Sequence, residues 1–291
     1  MRKRIVITSL AVVAAVALGL WAASSYMLGY SLGPDPNRRD TDSTYALLYK
    51  WLPDMRQWAD SLRRGGLLRD TFVAMPGGER HHALYLRADS ACGRTAIVVH
   101  GYKDCSAKFL FLGRMYHRDM GFNVLLPDLH AHGLSDGGDI GMGWNDRRDL
   151  VHWAAVAERL FRSEGHESRI VLHGVSMGAA TVMCASGEDL PPYIRCFVED
   201  CGYTSVWDEF ACQLKGQFGL PPFPLMYTTS ALCGLRHGDR DTFVPTWMVY
   251  RLYEAKAGAK RLWIAPGSAH AQAYTDHPAE YTRVVREFCF K

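Results

Sequence analysis

The sequence predicts an α/β fold in which a mostly parallel sheet is covered by helices on both faces. The chain of 291 residues is 48% hydrophobic and 22% charged, which is the composition of a protein that buries a core. Short apolar runs recur along it, and helical stretches separate the later ones. Strands that alternate with helices are typical of a parallel sheet, and one globular domain of about 250 residues fits the length.

The amino end predicts a membrane segment. Residues 5–32 contain no charge and follow Arg2, Lys3 and Arg4. About 20 apolar residues span a bilayer, so we expect a single uncleaved anchor over residues 1–33. Small residues at 22–25 leave a cleaved signal as the alternative. By the positive-inside rule, the basic end stays in the cytoplasm and the remainder is exported.

Charge and cysteine spacing exclude several function classes. The sequence has 33 Lys and Arg against 30 acidic residues, and the three amino-terminal cations account for the whole excess. A nucleic-acid binder normally carries a basic field on its folded part, so we expect no nucleic-acid partner. The eight cysteines of this chain form no CxxC pair, which argues against a zinc ribbon or a thioredoxin motif. The sequence is compatible with one or two disulfides.

The segment 34–68 is predicted to be a linker followed by an amphipathic helix. Apolar residues recur at three- and four-residue spacings over 44–64, and Pro53 interrupts them. Two short strands at 71–75 and 83–87 then flank a turn at Pro76, Gly77 and Gly78. This pattern predicts an antiparallel hairpin at the edge of the sheet.

The remaining elements are predicted from apolar runs and helical periodicity. We expect strands at 95–99, 122–126, 169–172, 194–198 and 261–265. We expect helices at 107–120, 145–163, 177–187, 246–257 and 278–290. With the hairpin, they make up a folded domain over residues 69–291.

A Gly-x-Ser-x-Gly pattern occurs twice, around Ser176 and around Ser135. A nucleophile elbow requires a strand, a sharp turn and a helix, which expose the serine above the sheet. Ser176 follows the predicted strand 169–172 and precedes a helix, whereas Asp136 and the glycines after it break any helix behind Ser135. We therefore predict Ser176 as the nucleophile and Ser135 as a turn residue.

An acyl-transfer site also needs two backbone donors for the developing oxyanion. The Met177 amide at the start of the helix supplies one. The strand at 95–99 runs into His100, Gly101 and Tyr102, which predicts the Tyr102 amide as the second.

The serine needs a base that an acid orients. In the chain order serine, acid, histidine, the base follows the last strand, which predicts His270. The turn-rich loop 237–245 offers Asp241 as first choice for the acid and Asp239 as second.

A metal site is an alternative in the loop after the fourth strand. Asp128, His130, His132 and Asp136 cluster there, and oxygen and imidazole groups are metal ligands. We prefer a structural loop in which Asp128 caps backbone amides, so no metal or other cofactor is predicted.

These motifs together resemble the α/β-hydrolase superfamily. The resemblance rests on HGYKDC (100–105), LLPDLHAHGLSDG (125–137), HGVSMGAAT (173–181), EDCGYTSVWDEF (199–210), HGDRDTFVP (237–245) and GSAH (267–270). Within this superfamily, the chain resembles a bacterial membrane-anchored group that is similar to serine aminopeptidase (S33) and acylglycerol-lipase-like hydrolases. The resemblance implies Ser176, Asp241 and His270 as the triad, and the Tyr102 and Met177 amides as the oxyanion hole.

The chain departs from that group before the acid loop. Asp241 follows Ser176 by only 65 positions, so we expect that a crossover and its strand are missing. Either residues 230–235 form that strand or the sheet is interrupted beside the acid. If Asp241 is displaced, Asp200 at the end of strand 194–198 is the other carboxylate on offer.

The sequence therefore predicts a serine hydrolase that cleaves carboxylic esters. A peptidase is the runner-up, and Glu199, Asp208 and Glu209 are candidate carboxylates for a substrate ammonium. A non-catalytic protein of the same fold is the alternative from a different class. The partners expected are a small ester or peptide substrate and the membrane at the amino-terminal segment, whereas the oligomeric state is not predicted.

Overall fold

The computed structural model describes residues 1–203, 205–237 and 258–289. The chain divides into two compact units, Met1–Gly33 with Thr204–Trp247 and Pro34–Tyr203 with Met248–Lys291. The helices are α1 (Arg2–Leu32), α2 (Thr41–Trp51), α3 (Met55–Arg64), α4 (Leu110–Arg114), α5 (Asp146–Phe161), α6 (Met177–Ala185), α7 (Val206–Phe218), α8 (Leu225–His237), α9 (Ala273–Asp276) and α10 (Pro278–Cys289). The strands are β1 (Arg69–Ala74), β2 (Arg80–Leu86), β3 (Arg94–Val99), β4 (Asn123–Pro127), β5 (Arg169–Val175) and β6 (Ile194–Asp200).

The second unit is built on a six-stranded sheet with the order β1-β2-β4-β3-β5-β6. The strands β4, β3, β5 and β6 run parallel, whereas β1 pairs antiparallel with β2, and β2 pairs antiparallel with β4. The predicted edge hairpin is therefore confirmed. Its turn depends on Gly78, whose φ of 87° suits glycine.

Apolar side chains of the central strands alternate between two buried faces. Val124 and Leu126 of β4 face one core cluster together with Ala96 and Val98 of β3, while Ile97 is buried outside that cluster. Helices α2, α3, α4, α9 and α10 supply further members of the cluster, and α5 and α6 contact the sheet elsewhere. A sheet buried on both faces explains why its strands are continuous apolar runs.

The helix predicted over 44–64 is divided at the proline, as expected. Helix α2 begins after Asp40, whose Oδ1 accepts a hydrogen bond from the Ser43 amide at 3.0 Å. It ends at Trp51, two residues before Pro53, because a proline disfavours helical conformation in the residue before it. Helix α4 continues as a π-helical segment, Met115–Asp119.

The first unit joins the amino-terminal helix to α7 and α8. Ser24 Oγ donates to Thr228 Oγ1 at 2.6 Å, and Tyr30 OH donates to Gln217 Oε1 at 3.0 Å. Between Lys3 and Leu32 the helix is long and apolar enough to cross a membrane, and its mean hydropathy reaches 2.4. Its 31 residues extend about 46 Å at 1.5 Å per residue, which exceeds the bilayer core of about 30 Å.

One prediction near the acid loop is wrong, and one of two alternatives for the segment before that loop is excluded. Residues 261–265 do not form a strand, and among the described strands β6 is the last of the sheet on that side. A strand needs a neighbour to satisfy its backbone groups, and no described strand provides one there. Residues 230–235 belong to α8, so they do not replace the missing strand. The predicted helix 246–257 lies outside the described residues.

Candidate active site

Ser176 lies on a sharp turn between β5 and α6, as the sequence predicts. Its φ of 55° and ψ of −116° are unfavourable for a residue with a side chain, and such strain is common at functional positions. The turn requires its two glycines. A Cβ atom on Gly174 would clash with the carbonyl of Gly178, and one on Gly178 would clash with the carbonyl of Val99.

The structure brings His270 to this serine. His270 Nε2 lies 2.8 Å from Ser176 Oγ, although 94 residues separate them. His270 lies in the turn before α9, next to Ala271, whose φ is 60°. A hydroxyl within hydrogen-bond distance of an imidazole is the arrangement needed to activate a serine nucleophile.

The loop after β3 adjoins the nucleophile. A Cβ atom placed on Gly101 would lie 3.5 Å from Ser176 Cβ, so this backbone passes directly beside the serine. Tyr102 follows in the same turn. Met177 opens α6, and an amide in the first turn of a helix has no intrahelical acceptor. Both predicted oxyanion donors therefore belong to segments that flank Ser176.

Two neutral histidines hold this loop. His100 Nε2 accepts a hydrogen bond from the Leu129 amide at 3.0 Å, and its Nδ1 lies 2.8 Å from Gly101 O. His132 Nε2 accepts from the Lys103 amide at 3.1 Å. Each ring must lack a proton on its accepting nitrogen. Burial, reinforced for His100 by His132, accordingly lowers the pKa of each histidine to about 4.

Of the three candidate acids, only Asp200 lies among the described residues. Asp241 and Asp239 both lie outside the described residues, so the structure does not test them. Asp200 ends β6, and its carbonyl accepts the Ser176 amide at 2.8 Å. Burial raises the pKa of its carboxyl group, while the Tyr281 hydroxyl and the charge of His270 oppose that rise. Asp200 is thus within electrostatic range of the base.

Sequence reasoning missed a hydrogen-bonded chain behind Asp200. Tyr281 OH donates to Asp200 Oδ2 at 2.8 Å and lies 2.8 Å from His173 Nε2. His173 Nδ1 lies 2.9 Å from Tyr116 OH. Because Tyr281 has one proton, His173 must donate from Nε2 and accept from Tyr116, which requires a neutral ring. Burial lowers the pKa of His173 to about 3, in agreement with that tautomer.

Ser135 occupies a different kind of position. It is fully buried, its Oγ donates to Asp128 O at 2.7 Å, and it accepts the His82 amide at 2.9 Å. The side chain of Asp128 accepts the Ser106 and Leu134 amides at 2.7 and 2.9 Å. Asp128 therefore caps backbone amides, as the preferred interpretation of this loop expects.

The four residues of the predicted alternative metal site do not converge on one point. Asp128 bonds the amides described above, and His132 bonds Lys103. Asp136 accepts the Arg80 amide at 3.1 Å, and His130 Nδ1 lies 2.7 Å from Glu79 Oε2. Their side chains leave the loop in different directions because each satisfies a separate neighbour.

Comparison with known proteins identifies the fold. No protein-family model matches the chain. It is similar to an esterase of Pyrococcus furiosus, Pf2001, with a TM-score of 0.57 and 21% identity over 76% of this chain and 91% of that one. It also resembles the α/β hydrolase GrgF from Penicillium sp. sh18 (TM-score 0.55, 14% identity, 76% and 99% coverage) and the Exiguobacterium antarcticum esterase EaEST (0.52, 15%, 76% and 99%). The chain has the α/β-hydrolase fold.

Two curated relatives match by sequence. The uncharacterized protein YqkD of Bacillus subtilis (strain 168) is 29% identical over 194 residues, 58% of this chain and 63% of that protein. The uncharacterized protein YfhR of Escherichia coli O157:H7 is 26% identical over 176 residues, 56% and 58% of the two chains. The chain thus spans less than two thirds of the length of either relative.

Proposed function

We propose that the protein is a serine hydrolase that cleaves carboxylic esters through an acyl intermediate on Ser176. The observation that carries this proposal is the 2.8 Å separation between His270 Nε2 and Ser176 Oγ, at a serine held in a strained strand-to-helix turn. The fold supports it, because structural neighbours of this chain include esterases from Pyrococcus furiosus and Exiguobacterium antarcticum.

In the proposed reaction, His270 Nε2 takes the Ser176 proton while Oγ attacks the ester carbonyl carbon. The negative charge that develops on the carbonyl oxygen is stabilised by the amides of Tyr102 and Met177. The intermediate collapses, and the leaving alkoxide takes the proton from His270. Water then repeats the sequence on the acyl group, which releases the carboxylic acid and restores Ser176.

The acid that orients His270 is assigned to Asp241, with Asp239 second, on the resemblance of the loop 237–245. Asp200 is the alternative candidate for the acid, and its proximity to His270 supports that alternative. An orienting carboxylate must remain ionised to stabilise the imidazolium that forms. Burial raises the pKa of the Asp200 carboxyl group, which acts against this requirement, and Asp241 stays the first choice on the resemblance.

The environment of Glu199 does not favour this residue as the partner of a substrate ammonium. An aminopeptidase needs an ionised carboxylate to pair with the substrate ammonium. Burial raises the pKa of Glu199 to about 7, with the charge of Asp200 acting in the same direction. Its Oε1 already accepts the Gly202 amide at 2.6 Å. Peptide hydrolysis therefore remains the second candidate.

We also propose that α1 anchors the protein and that the domain lies outside the cytoplasm. The helix combines bilayer-spanning length with the basic residues at positions 2–4. A disulfide between Cys196 of β6 and Cys289 of α10 is compatible with an oxidising compartment. Cleavage of the helix as a signal is the alternative.

A fluorophosphonate probe tests the proposed chemistry on the full chain in detergent. We expect wild-type protein and Ser135→Ala to be labelled and Ser176→Ala to remain unlabelled. A second measurement compares p-nitrophenyl acyl esters with aminoacyl p-nitroanilides at equal concentration. Faster turnover of the esters is expected, and preference for the anilides would favour the peptidase.

Absence of both labelling and turnover in folded wild-type protein would contradict the proposal. In that case a non-catalytic role within the same fold would be favoured. Circular dichroism and a cooperative melting transition are needed for each variant, so that an unfolded protein is not taken for an inactive one.

Orientation is tested separately by protease added to intact spheroplasts. We expect digestion of the domain without lysis. Survival of the full chain until lysis would contradict the proposed topology.

A further inference from the structure

A cluster of metal-ligating side chains lies at the antiparallel edge of the sheet, away from the Ser176–His270 pair in sequence. It contains Glu79 before β2, His81 in β2 and His130 in the loop after β4, and their ligand atoms lie within 4.8 Å of one another. Asp149 of α5 lies behind His81. The proposed function uses none of these four side chains.

The register of the sheet brings these residues together. Strand β2 pairs antiparallel with β4, and Ala83 lies opposite Pro127. The Asp128 amide donates to His82 O at 2.8 Å just beyond β4, and the ring centroids of His81 and His130 lie 5.8 Å apart. Backbone hydrogen bonds continue beyond the paired residues, and the Asp136 amide donates to Arg80 O at 3.0 Å. The backbone is thus fixed on both sides of the cluster.

The separations suit a small divalent ion. Tetrahedral Zn²⁺ with nitrogen and oxygen ligands at about 2.0–2.1 Å has ligand atoms about 3.4 Å apart. His81 Nε2 lies 3.4 Å from Glu79 Oε2. His130 Nδ1 lies 2.7 Å from the same oxygen, as a hydrogen bond that must lose its proton and lengthen by roughly 0.7 Å to reach that geometry.

The buried ring of His81 also has a carboxylate on the side away from Glu79. His81 is 1% exposed, and its Nδ1 has no hydrogen-bond partner among the described residues. That nitrogen faces Asp149 Oδ2 at 3.6 Å. Metal-bound histidines usually donate their other ring nitrogen to a carboxylate, which fixes the tautomer. A metal on Nε2 would place the His81 proton on Nδ1, directed at Asp149.

We propose that Glu79, His81 and His130 form a site for a Zn²⁺-class divalent ion, with Asp149 holding His81. Two imidazoles and one carboxylate are a ligand set typical of Zn²⁺, and water would occupy the fourth position beside the partly exposed Glu79. The ion would connect the β1–β2 turn to the loop after β4. The site is independent of the proposed ester chemistry.

Calorimetric titration of chelator-treated full chain in detergent with Zn²⁺ tests this proposal, using protein without a histidine tag. We expect one equivalent to bind and the melting temperature to rise, as for any ligand that prefers the folded state. Titration with Co²⁺ should give the visible d–d bands of a tetrahedral centre. The Ser176→Ala variant should bind Zn²⁺ like wild type, whatever its effect on hydrolysis.

Variants give the specificity of the test. Asp149→Asn should weaken Zn²⁺ binding about 10- to 100-fold, as loss of such a supporting carboxylate does elsewhere. Glu79→Gln and His130→Gln should weaken it more. His166→Gln is the matched control, because it removes an exposed imidazole that lies beside Glu164 and Glu167.

Failure of wild type to bind one equivalent would overturn the proposal. The same conclusion follows if binding is unchanged in both Glu79→Gln and His130→Gln, or if it falls equally in His166→Gln. If Glu79→Gln fails to fold by circular dichroism, the comparison of His130→Gln with His166→Gln decides.

Discussion

The two Gly-x-Ser-x-Gly segments of this chain share a pattern and differ in almost every physical respect. Ser176 has a positive φ and its hydroxyl meets the ring of His270. Ser135 is fully buried, and its hydroxyl is held between two backbone groups. Their glycines also differ in purpose. Gly174 and Gly178 permit close packing at the elbow, whereas Gly133 at a φ of 47° leaves space for the carboxylate of Asp128.

Ser135 even has a histidine and an aspartate beside it, but their hydrogen bonds are wrong for catalysis. His82 offers Ser135 its backbone amide, while its ring nitrogens lie 2.7 Å from Asp128 and 2.9 Å from Asp70. Burial alone would lower the pKa of His82, but hydrogen bonds to these two carboxylates raise it. Because both ring nitrogens of His82 are hydrogen-bonded to carboxylates, neither is placed to accept a proton from Ser135, so residue types near a serine do not define a triad.

The largest expected effect separates the two serines by activity. Ser176→Ala should lower kcat for a short acyl ester by about 10⁴-fold or more, because the nucleophile is lost. Ser135→Ala should retain most of the activity per folded molecule, since Ser135 does not contact the proposed site. Initial rates on protein quantified by its folded fraction measure both, and equal losses would mean that the two positions are not distinct in function.

The next effect concerns the groups that complete the site of Ser176. His270→Ala should lower kcat by about 10³-fold, because no other described group reaches Ser176 Oγ as a base. Asp241→Asn should reduce activity more than Asp200→Asn, if the acid is the residue of the loop 237–245. Comparing kcat of the two asparagine variants is the measurement. A greater loss in Asp200→Asn would assign the acid to β6 instead.

For stability, unlike activity, we expect the larger loss in Ser135→Ala and the smaller loss in Ser176→Ala. Ser135→Ala removes two buried hydrogen bonds and leaves the His82 amide unsatisfied, which should cost about 2 kcal/mol in the free energy of unfolding. Ser176→Ala should change that free energy by less than about 0.5 kcal/mol, because its hydroxyl is partly exposed. Urea unfolding of the two variants compares them, and a larger loss in Ser176→Ala would contradict the structural role of Ser135.

The last effect is a pH dependence at the loop beside Ser176. The pKa of His132 is about 4 in the folded state and about 6.5 when unfolded, so the unfolded chain binds more protons between these values. The contribution of His132 to the free energy of unfolding therefore falls by up to about 1.4 kcal/mol per pH unit on acidification from pH 6.5 to 4. Below that range the contribution stays constant. His132→Gln should reduce the measured slope by about one proton.

His82 titrates in the opposite sense. Its pKa is raised by the hydrogen bonds to Asp128 and Asp70, so its stabilisation is complete below the unfolded value and is lost as the pH rises through the folded one. Acidification should thus weaken the loop beside Ser176 before it weakens the pocket of Ser135. Urea titrations of wild type and His132→Gln at several pH values check this, and identical slopes would contradict the assignment of His132 as a neutral acceptor.

Local features of the fold were predictable because they depend on neighbours in the chain. Gly77 and Gly78 predicted the hairpin turn, Pro53 predicted the division of the early helix, and residues 5–32 predicted a helix of membrane-spanning length. The run 261–265 misled, since an apolar stretch forms a strand only where another strand offers hydrogen bonds. Of the two alternatives left open for residues 230–235, the strand is excluded, because these residues lie in helix α8.

The sequence by itself determined the elbow at Ser176, since the strand, the two glycines and the helix follow one another and their sterics are local. Tertiary structure decided which distant groups meet. The pairing of β5 with β6 and the packing of α10 on β6 bring Tyr281 to Asp200 and His173, and the loop after β4 brings His130 to His81 of β2. Such contacts join residues tens to more than a hundred positions apart, and the energy of packing the whole sheet, rather than any short pattern, selects them.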